Sequence, residues 1–274
     1  MTTRLFMGTL VAVAGMAAAL WAAPAAAGVM GQGTWQSTLL GRNSNGHAVA
    51  ASGADAVFLY DTVLNITWLR DANDAGTSGA VPDTGYGLGA TDWQTAMTWA
   101  GTLQVGSFGG WRLPSLAPIN GLDFQLEVSN NGSTDLGYGQ NGSGWGTVSE
   151  LGYLYYATLG NLGYCAPDDL APQTSCDQAP GWGLSNTGDF MNMQSWYYWT
   201  GQEVQPNSSS AFVFGMGEGA LAFTSEFTPA FYAMAVRQGD VANVPEPRGP
   251  GVLLLALLAL GVARRRSARQ LVAR

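Results

Sequence analysis

Three side chains that could bind a metal ion follow the first β-prone stretch of the sequence. Asp71, Asn73 and Asp74 bring together carboxylate and amide oxygens, the ligands that Ca²⁺ prefers in proteins. Their spacing does not fit an EF-hand loop, because a glycine follows only at Gly76 and no glutamate closes the loop. Asx turns, in which such side chains accept hydrogen bonds from nearby backbone N–H groups, explain the same residues without a metal. The sequence therefore predicts an Asx-type turn, with a calcium site as the alternative.

The chain has two cysteines, Cys165 and Cys176, on either side of a polar segment that contains proline. A close pair of this kind is typical of a disulfide in an oxidising compartment. Redox catalysis would need a Cys-x-x-Cys spacing, which the pair lacks. A zinc site would need further ligands, although His47 is the sole histidine. We therefore expect a structural disulfide.

No sequence motif marks a catalytic site. A serine hydrolase triad would have to use His47, and no Gly-x-Ser-x-Gly segment accompanies it. A glycosidase would need two converging carboxyl groups, and no pair of acidic residues is marked for that role. Asp168 and Asp169 lie in the loop between the cysteines, where we expect solvated side chains. We expect a protein that is not an enzyme.

Charged residues are few and mostly acidic between the two ends of the chain. The sequence has no lysine, and residues 28–244 contain four arginines and eighteen acidic residues, a formal net charge of −14. Such a surface repels nucleic acid and anionic lipid, so no nucleic-acid partner is expected. The stretch is long enough for one domain with a core, and its abundant glycine and aromatic residues are typical of a folded, loop-rich domain.

The hydrophobic pattern predicts an α+β domain with two short helices and antiparallel strands separated by long loops. Residues 28–55 are expected to form an irregular lead-in, and two β-prone runs between Ala56 and Leu69 predict a hairpin. Thr91 and Gln94 form a capping-box pattern for a helix that stops near Gly106.

The second half of the domain is predicted to begin with a helix and to continue with strands. The helix starts after Ser149, with Glu150 in its first turn. Strand-like runs follow at 195–200, 211–216, 220–224 and 231–237, and the Gly-Glu-Gly turn at 217–219 predicts that the middle two form a hairpin.

Several short strings within residues 56–243 resemble the Lcl C-terminal domain family, which has a C-type-lectin-like fold. They include the sequences Ile-Thr-Trp-Leu-Arg-Asp at 66–71, Trp-Arg-Leu-Pro at 111–114 and Ala-Val-Arg-Gln-Gly-Asp at 235–240. The residues of this chain that carry the resemblance are Trp68, Arg70, Asp71, Trp99, Trp111, Arg112, Leu113, Pro114, Glu150, Trp199 and Arg237. The aromatic residues are expected to fill the core. Arg112 and Arg237 are expected to need a buried carboxylate or carbonyl partner, with Glu150 and Asp71 as candidates.

Both ends of the chain read as targeting segments. Residues 1–27 have a positive start, an apolar centre and an Ala-rich end, which predicts a signal peptide cleaved by signal peptidase between Ala27 and Gly28. Residues 244–274 resemble the PEP-CTERM sorting signal, which implies an exosortase-type membrane protease as partner. The elements of that signal are the Val244, Pro245, Glu246 and Pro247 string, an apolar span over 249–263, and an Arg-rich tail over 264–274 with Arg264, Arg265 and Arg266.

The span is short for a membrane helix. Its 15 residues reach about 22 Å as an α-helix, less than the ~30 Å hydrocarbon core, so it could cross only with local thinning or snorkelling of the flanking arginines. The positive-inside rule places the Arg-rich tail in the cytoplasm and the rest of the chain outside the inner membrane.

Together these features predict an exported bacterial protein of the cell surface or extracellular matrix, first held by a transient single-span anchor. The PEP-CTERM resemblance implies association with exopolysaccharide or a biofilm. Two alternatives are a calcium-dependent polysaccharide- or ligand-binding module, which the acidic loops favour, and an uncharacterised glycan hydrolase.

Overall fold

The computed structural model describes residues 33–166, 176–205 and 208–242, in which two mainly antiparallel sheets and a few short helices form a mixed α+β fold. The strands are β1 (Leu39–Arg42), β2 (Phe58–Asp61), β3 (Ile66–Leu69), β4 (Val128–Ser129), β5 (Leu136–Tyr138), β6 (Tyr197–Glu203), β7 (Ser210–Gly215), β8 (Ala220–Ser225) and β9 (Val236–Gln238). The α-helices are α1 (Trp35–Thr38), α2 (Asp74–Thr77), α3 (Trp93–Thr102) and α4 (Glu150–Tyr153). The α+β class predicted from the sequence is thus confirmed.

The first sheet has the strand order β1-β2-β3-β9, and all of its neighbours are antiparallel. The predicted hairpin is its centre, with Phe58 opposite Leu69 and Asp61 opposite Ile66. The Asp61 carboxylate accepts hydrogen bonds from the backbone N–H groups of Val63 and Leu64, at 2.9 and 3.0 Å. One acidic side chain therefore stabilises the turn that sets the strand register.

The expectation of an irregular lead-in over residues 28–55 is wrong for β1, which adds an edge strand to this sheet. Leu39 is buried, and the Arg42 guanidinium donates hydrogen bonds to both oxygens of Asp240, at 3.0 and 2.7 Å. The Asp240 partner is almost two hundred residues away, so the local pattern of small polar residues did not reveal this strand.

The second sheet has the order β4-β5-β8-β7-β6, with one parallel pair, β4 and β5. The predicted hairpin is β7 and β8, in register from the Ser210–Ser225 pair to the Gly215–Ala220 pair. The run over 231–237 was expected to form one strand, but only its end belongs to β9. Phe231 instead forms a bridge with Thr91, and Tyr232 forms one with Tyr198, because the segment crosses between the two sheets.

The longest helix, α3, begins one residue later than the capping-box pattern predicted. Asp92 is its N-cap, and the Asp92 carboxylate accepts a hydrogen bond from the Thr95 N–H at 2.9 Å. Thr91 is instead buried, and its N–H donates to the carbonyl of Phe231. Aspartate and threonine are both good N-cap residues. The contact of Thr91 with Phe231 therefore decides that Asp92 is the N-cap.

The second predicted helix is present and starts where expected. Ser149 is the N-cap of α4, and its hydroxyl accepts a hydrogen bond from the Gly152 N–H at 3.1 Å. The helix continues as one π-helical turn over Leu154–Thr158. This turn buries Tyr155 and Tyr156 beneath the second sheet, against Phe214 and Gly219.

Large aromatic side chains fill the core between the sheets and the helices. The motif tryptophans Trp68, Trp99, Trp111 and Trp199 are all buried, as expected from the sequence. The indole N–H of Trp199 donates to the carbonyl of Thr91 at 2.8 Å, which joins β6 to the start of α3. Trp199 therefore stabilises the fold both through the burial of its ring and through the hydrogen bond of its indole N–H.

Within the described ranges, no helix is both long and apolar enough to cross a membrane. The predicted signal peptide over 1–27, its cleavage site at Ala27 and Gly28, and the sorting signal over 244–274 with its span at 249–263 all lie outside the described residues.

Candidate functional site

The Trp-Arg-Leu-Pro motif holds β9, a loop and α4 together. The Arg112 guanidinium donates to both carboxylate oxygens of Glu150, each at 2.7 Å, and the Ser115 N–H donates to the same carboxylate at 2.6 Å. The Arg112 backbone exchanges two further hydrogen bonds with Val236. The prediction that Glu150 is the partner of Arg112 is confirmed, and the motif has a structural role.

Arg237 has neither the carboxylate nor the carbonyl partner that was expected for it among the described residues. No described acidic side chain forms an ion pair with it, so neither Glu150 nor Asp71 is its partner. Its guanidinium carbon lies 5.5 Å from the centre of the Phe108 ring, and its buried Nε has no hydrogen-bond partner. An aromatic face thus takes the place of a carboxylate.

The third motif arginine, Arg70, binds backbone carbonyl groups. Its guanidinium donates to the carbonyl oxygens of Gly53, Ala56 and Asp189 at 2.6, 3.2 and 2.9 Å. These contacts fix the lead-in and the segment before β6 against the first hairpin, so Arg70 is also structural.

The Asp71 loop has the geometry of an Asx turn. One Asp71 oxygen accepts from the Asn73 N–H at 2.9 Å, and the other accepts from the Thr77 hydroxyl and the Asn192 amide, each at 2.8 Å. The Asn73 amide faces away from Asp71 and donates to the carbonyl of Leu88. Burial and, second to it, the charge of Asp71 raise the pKa of the Asp74 carboxyl. The predicted Asx turn is confirmed, and the calcium site stays a prediction.

In the described part of the chain, the Asp71 loop included, no three histidine, cysteine or carboxylate side chains lie close enough to hold a metal ion together. His47 lies exposed at the surface beside β1. A groove of about 710 Å³ runs along β1, but its arginine, Arg42, is already paired with Asp240. This groove therefore offers no free basic group to a ligand.

A smaller, open pocket combines exposed aromatic rings with a carboxylate. Its volume is about 350 Å³, within the range of small-molecule sites. The residues that line it come from three segments and are Trp182, Ser195, Trp196, Tyr197, Gly215, Gly217 and Glu218. Trp182 is 37 % exposed and Trp196 is 52 % exposed, which is unusual for side chains that elsewhere in this chain fill the core. We take this pocket, the aromatic pocket, as the candidate functional site.

The start of β6 and the β7–β8 hairpin position two walls of the aromatic pocket. The Trp196 indole N–H donates to the carbonyl of Ala230 at 3.1 Å, and its ring stands perpendicular to that of Tyr197 with centroids 5.6 Å apart. Gly217 and Glu218 form the turn between β7 and β8, and the Gly219 N–H closes that turn on Gly215. Hydrogen bonds of the backbone or the side chain therefore fix the segments that carry Trp196, Tyr197 and Glu218.

The disulfide of Cys165 and Cys176, which the sequence predicted, helps position the third wall. The Ala179 N–H donates to the carbonyl of Tyr164 at 2.8 Å, and the Trp182 N–H donates to that of Ala179. The Tyr164 N–H donates to the Glu218 carbonyl at 2.9 Å. The cross-linked segment thus connects Trp182 to the hairpin that presents Glu218.

A hydrogen bond between Tyr197 and Glu218 sets the electrostatics of the aromatic pocket. The Tyr197 hydroxyl donates to Oε1 of Glu218. Burial first, and then this hydrogen bond, raise the pKa of Tyr197, so the hydroxyl keeps its proton. Burial and the nearby Glu218 charge raise the pKa of Tyr138 to about 12. The pocket therefore holds one neutral phenol, that of Tyr197, beside a carboxylate, and none of its lining residues is basic.

Comparison of this chain with protein-family models, with curated proteins and with solved structures finds no match. The aromatic pocket is therefore interpreted from its own residues.

Sequence reasoning did not identify the aromatic pocket. Glu218 was interpreted as a turn residue, and neither Trp182 nor Trp196 was singled out. One signal was available, the run of four aromatic residues at 196–199. Successive strand residues point to opposite faces, so such a run places aromatic rings on both faces of a sheet, and one of these faces can be exposed.

Proposed function

We propose that this chain is an exported, non-enzymatic protein of the bacterial cell surface or extracellular matrix, and that its folded domain binds polysaccharide at the aromatic pocket. The observation that carries the binding function is the pair of exposed tryptophan rings, Trp182 and Trp196, beside the carboxylate of Glu218. Flat apolar faces next to a hydrogen-bonding group suit the two sides of a sugar ring, which has apolar C–H faces and polar edges.

Two sequence features support export and processing. Residues 1–27 have the pattern of a signal peptide, and residues 244–274 resemble the PEP-CTERM sorting signal on which an exosortase-type protease acts. The proposed fate is cleavage at both ends, after which the domain is released from the membrane or attached at the outer surface.

A C-type-lectin-like fold is part of the proposal. Its support is the Trp-Arg-Leu-Pro string, together with the α+β class with its few short helices and the ion pair of Arg112 with Glu150.

The composition of the aromatic pocket favours binding over hydrolysis. Glycoside hydrolysis ordinarily uses two carboxyl groups on either side of the scissile bond. Among the residues lining the pocket, Glu218 is the sole acid, and the hydroxyl of Tyr197 already occupies one of its oxygens.

Cell fractionation tests the proposed function. In a polysaccharide-producing host with an exosortase, the wild-type chain should be recovered from the matrix with a mass that lacks both terminal segments. Deletion of Pro245, Glu246 and Pro247 should leave the tail attached and the chain in the membrane fraction. Trp196→Ala should be processed normally but lost from the matrix, while Tyr86→Ala, at an exposed aromatic residue outside the pocket, should stay there. Unchanged mass in the deletion, or full matrix retention of Trp196→Ala, would refute the corresponding half of the proposal.

The alternative function is calcium-dependent ligand binding at the Asp71 loop. The observation that favours it is the proximity of two carboxyl groups, since the charge of Asp71 contributes to the raised pKa of Asp74. Calorimetric titration with calcium separates the two functions. Heat of binding that disappears in Asp71→Asn would support the alternative, and the absence of any calcium-binding heat in the wild-type chain would exclude it.

A further inference from the structure

We propose that the aromatic pocket binds a sugar ring carrying a protonated amine, as in the glucosamine units of a deacetylated polysaccharide. This inference rests on the proposed function and specifies the chemical class of the ligand. Its basis is the charge of the pocket, the placement of its rings and the free oxygen of Glu218.

The charges of the domain exclude an acidic sugar and favour a cationic one. Each of the four arginines in the described residues lies against a group outside the pocket: Arg42 on Asp240, Arg70 on backbone carbonyls, Arg112 on Glu150 and Arg237 on Phe108. A sugar carboxylate or sulfate would therefore meet Glu218 with no cation to balance it. An ammonium group would instead gain from Glu218 and from the net negative charge of residues 28–244.

The aromatic rings also suit a cation. The perpendicular rings of Trp196 and Tyr197 form a corner, and Trp182 lines the pocket as a third ring. The negative faces of tryptophan and tyrosine rings attract ammonium groups, tryptophan most strongly. An exposed tryptophan face can at the same time pack on the C–H face of the sugar, so both parts of an amino sugar would find a matching surface.

Glu218 has an oxygen available for the amine. Oε1 accepts the hydrogen bond from Tyr197, and no side chain or backbone group in the described part of the chain donates to the other oxygen. Gly215 keeps this region open, because a Cβ there would lie 3.0 Å from the Tyr197 ring and 3.3 Å from Cγ of Glu218. The geometry thus holds one oxygen in place through Tyr197 and leaves the second for a donor from the ligand.

Titration with chemically matched sugars tests this inference on the purified full chain. The probes are a glucosamine trimer and its fully N-acetylated form, which differ in charge but not in ring structure. We expect the glucosamine trimer to bind at least about tenfold more tightly at pH 6, as one charge-assisted hydrogen bond predicts, and to weaken as salt is raised. Equal affinity for the two trimers would overturn the proposal.

Two further measurements, on a variant of Glu218 and with a small cation, identify the cause of any difference in affinity between the two trimers. Glu218→Gln keeps an acceptor for Tyr197 but removes the charge, so it should lower affinity for the glucosamine trimer about tenfold and leave the N-acetylated trimer unchanged. Glu127→Gln, at an exposed position outside the pocket, is the matched control and should change neither. Tetramethylammonium that binds as tightly as the glucosamine trimer would overturn the sugar part, because the ring would then contribute nothing.

The outcome separates this inference from the proposed function. If the host polysaccharide binds through Trp196 but Glu218→Gln has no effect on any probe, the amine specificity fails and the binding function remains. If Trp196→Ala leaves binding of the host polysaccharide intact, the proposed function itself fails.

Discussion

The ion pair between Arg112 and Glu150 should carry a large part of the stability of this fold. Glu150→Ala removes the acceptor of three charge-assisted hydrogen bonds, two from Arg112 and one from the Ser115 N–H. The Glu150 side chain is 8 % exposed, so the bonds lie largely out of water, but the Arg112 side chain is 36 % exposed and can be rehydrated in part. Breaking a fully buried pair costs about 3–5 kcal/mol, so we expect a loss of about 3 kcal/mol here.

Urea unfolding at pH 7 measures this loss. Glu150→Gln should cost about 1–2 kcal/mol, because its amide oxygen can still accept from Ser115 or Arg112. A double-mutant cycle with Arg112→Gln should give a coupling free energy of about 1–2 kcal/mol. Glu127→Gln, an exposed control, should stay within about 0.5 kcal/mol of wild type. A loss below about 1 kcal/mol for Glu150→Ala would show that the ion pair contributes little to the stability of the fold.

Three further predictions concern a buried acid, a crowded glycine and the disulfide. Burial raises the pKa of Asp61 in the folded state above its ordinary value of 3.8. The protonated Asp61 side chain therefore stabilises the fold below pH 3.8, and this stabilisation is lost as the pH rises through the folded-state pKa. The free energy of unfolding of Asp61→Asn should therefore depend less steeply on pH between about pH 3 and 7 than that of wild type. The same slope in the two proteins would show that Asp61 is not the cause. Gly219→Ala should cost about 2–4 kcal/mol in urea unfolding, because φ is +78° and the new Cβ would lie 2.6 Å from the Tyr156 hydroxyl, whereas Gly110→Ala, at φ +74° with open space, should cost about 1 kcal/mol. Replacing Cys165 and Cys176 by serine should cost about 3 kcal/mol, because the cross-link lowers the conformational entropy of the unfolded chain. The loss is measurable as a lower thermal midpoint, and an unchanged midpoint would contradict this cause.

Elements whose cause lies within a few residues were predictable from the sequence. The β2–β3 hairpin follows from β-prone runs around Asp61, and the start of α4 follows from Ser149 as a cap. Glu150 and Asp71 could be proposed as partners of Arg112 because an arginine in an apolar string needs an acceptor, and the structure selects Glu150.

Features that depend on distant residues were not predictable in the same way. Asp92 rather than Thr91 caps α3, because Thr91 is used by Phe231 of a later segment. Arg42 at the end of strand β1 pairs with Asp240, and Arg237 lies against the ring of Phe108 instead of an acid. In each case the local sequence allowed more than one conformation or partner, and a contact with a distant residue decided between them.

The aromatic pocket is the strongest example of this limit. Trp182 follows the disulfide loop, Trp196 precedes β6 and Glu218 occupies a hairpin turn, so only the folded chain brings them together. Tryptophan is ordinarily a core residue, and 52 % exposure of Trp196 becomes apparent only once the core has been filled by other rings.

The most direct test of polysaccharide binding at the aromatic pocket is a calorimetric titration of the host's own matrix polysaccharide into wild type and Trp196→Ala. Unfolding in urea should show that Trp196→Ala is folded, since its ring is half exposed and lies outside the core. We expect binding by wild type and at least about a tenfold loss of affinity in Trp196→Ala, because one stacking ring is removed. Equal affinity of the two proteins, or no binding by wild type, would contradict this expectation.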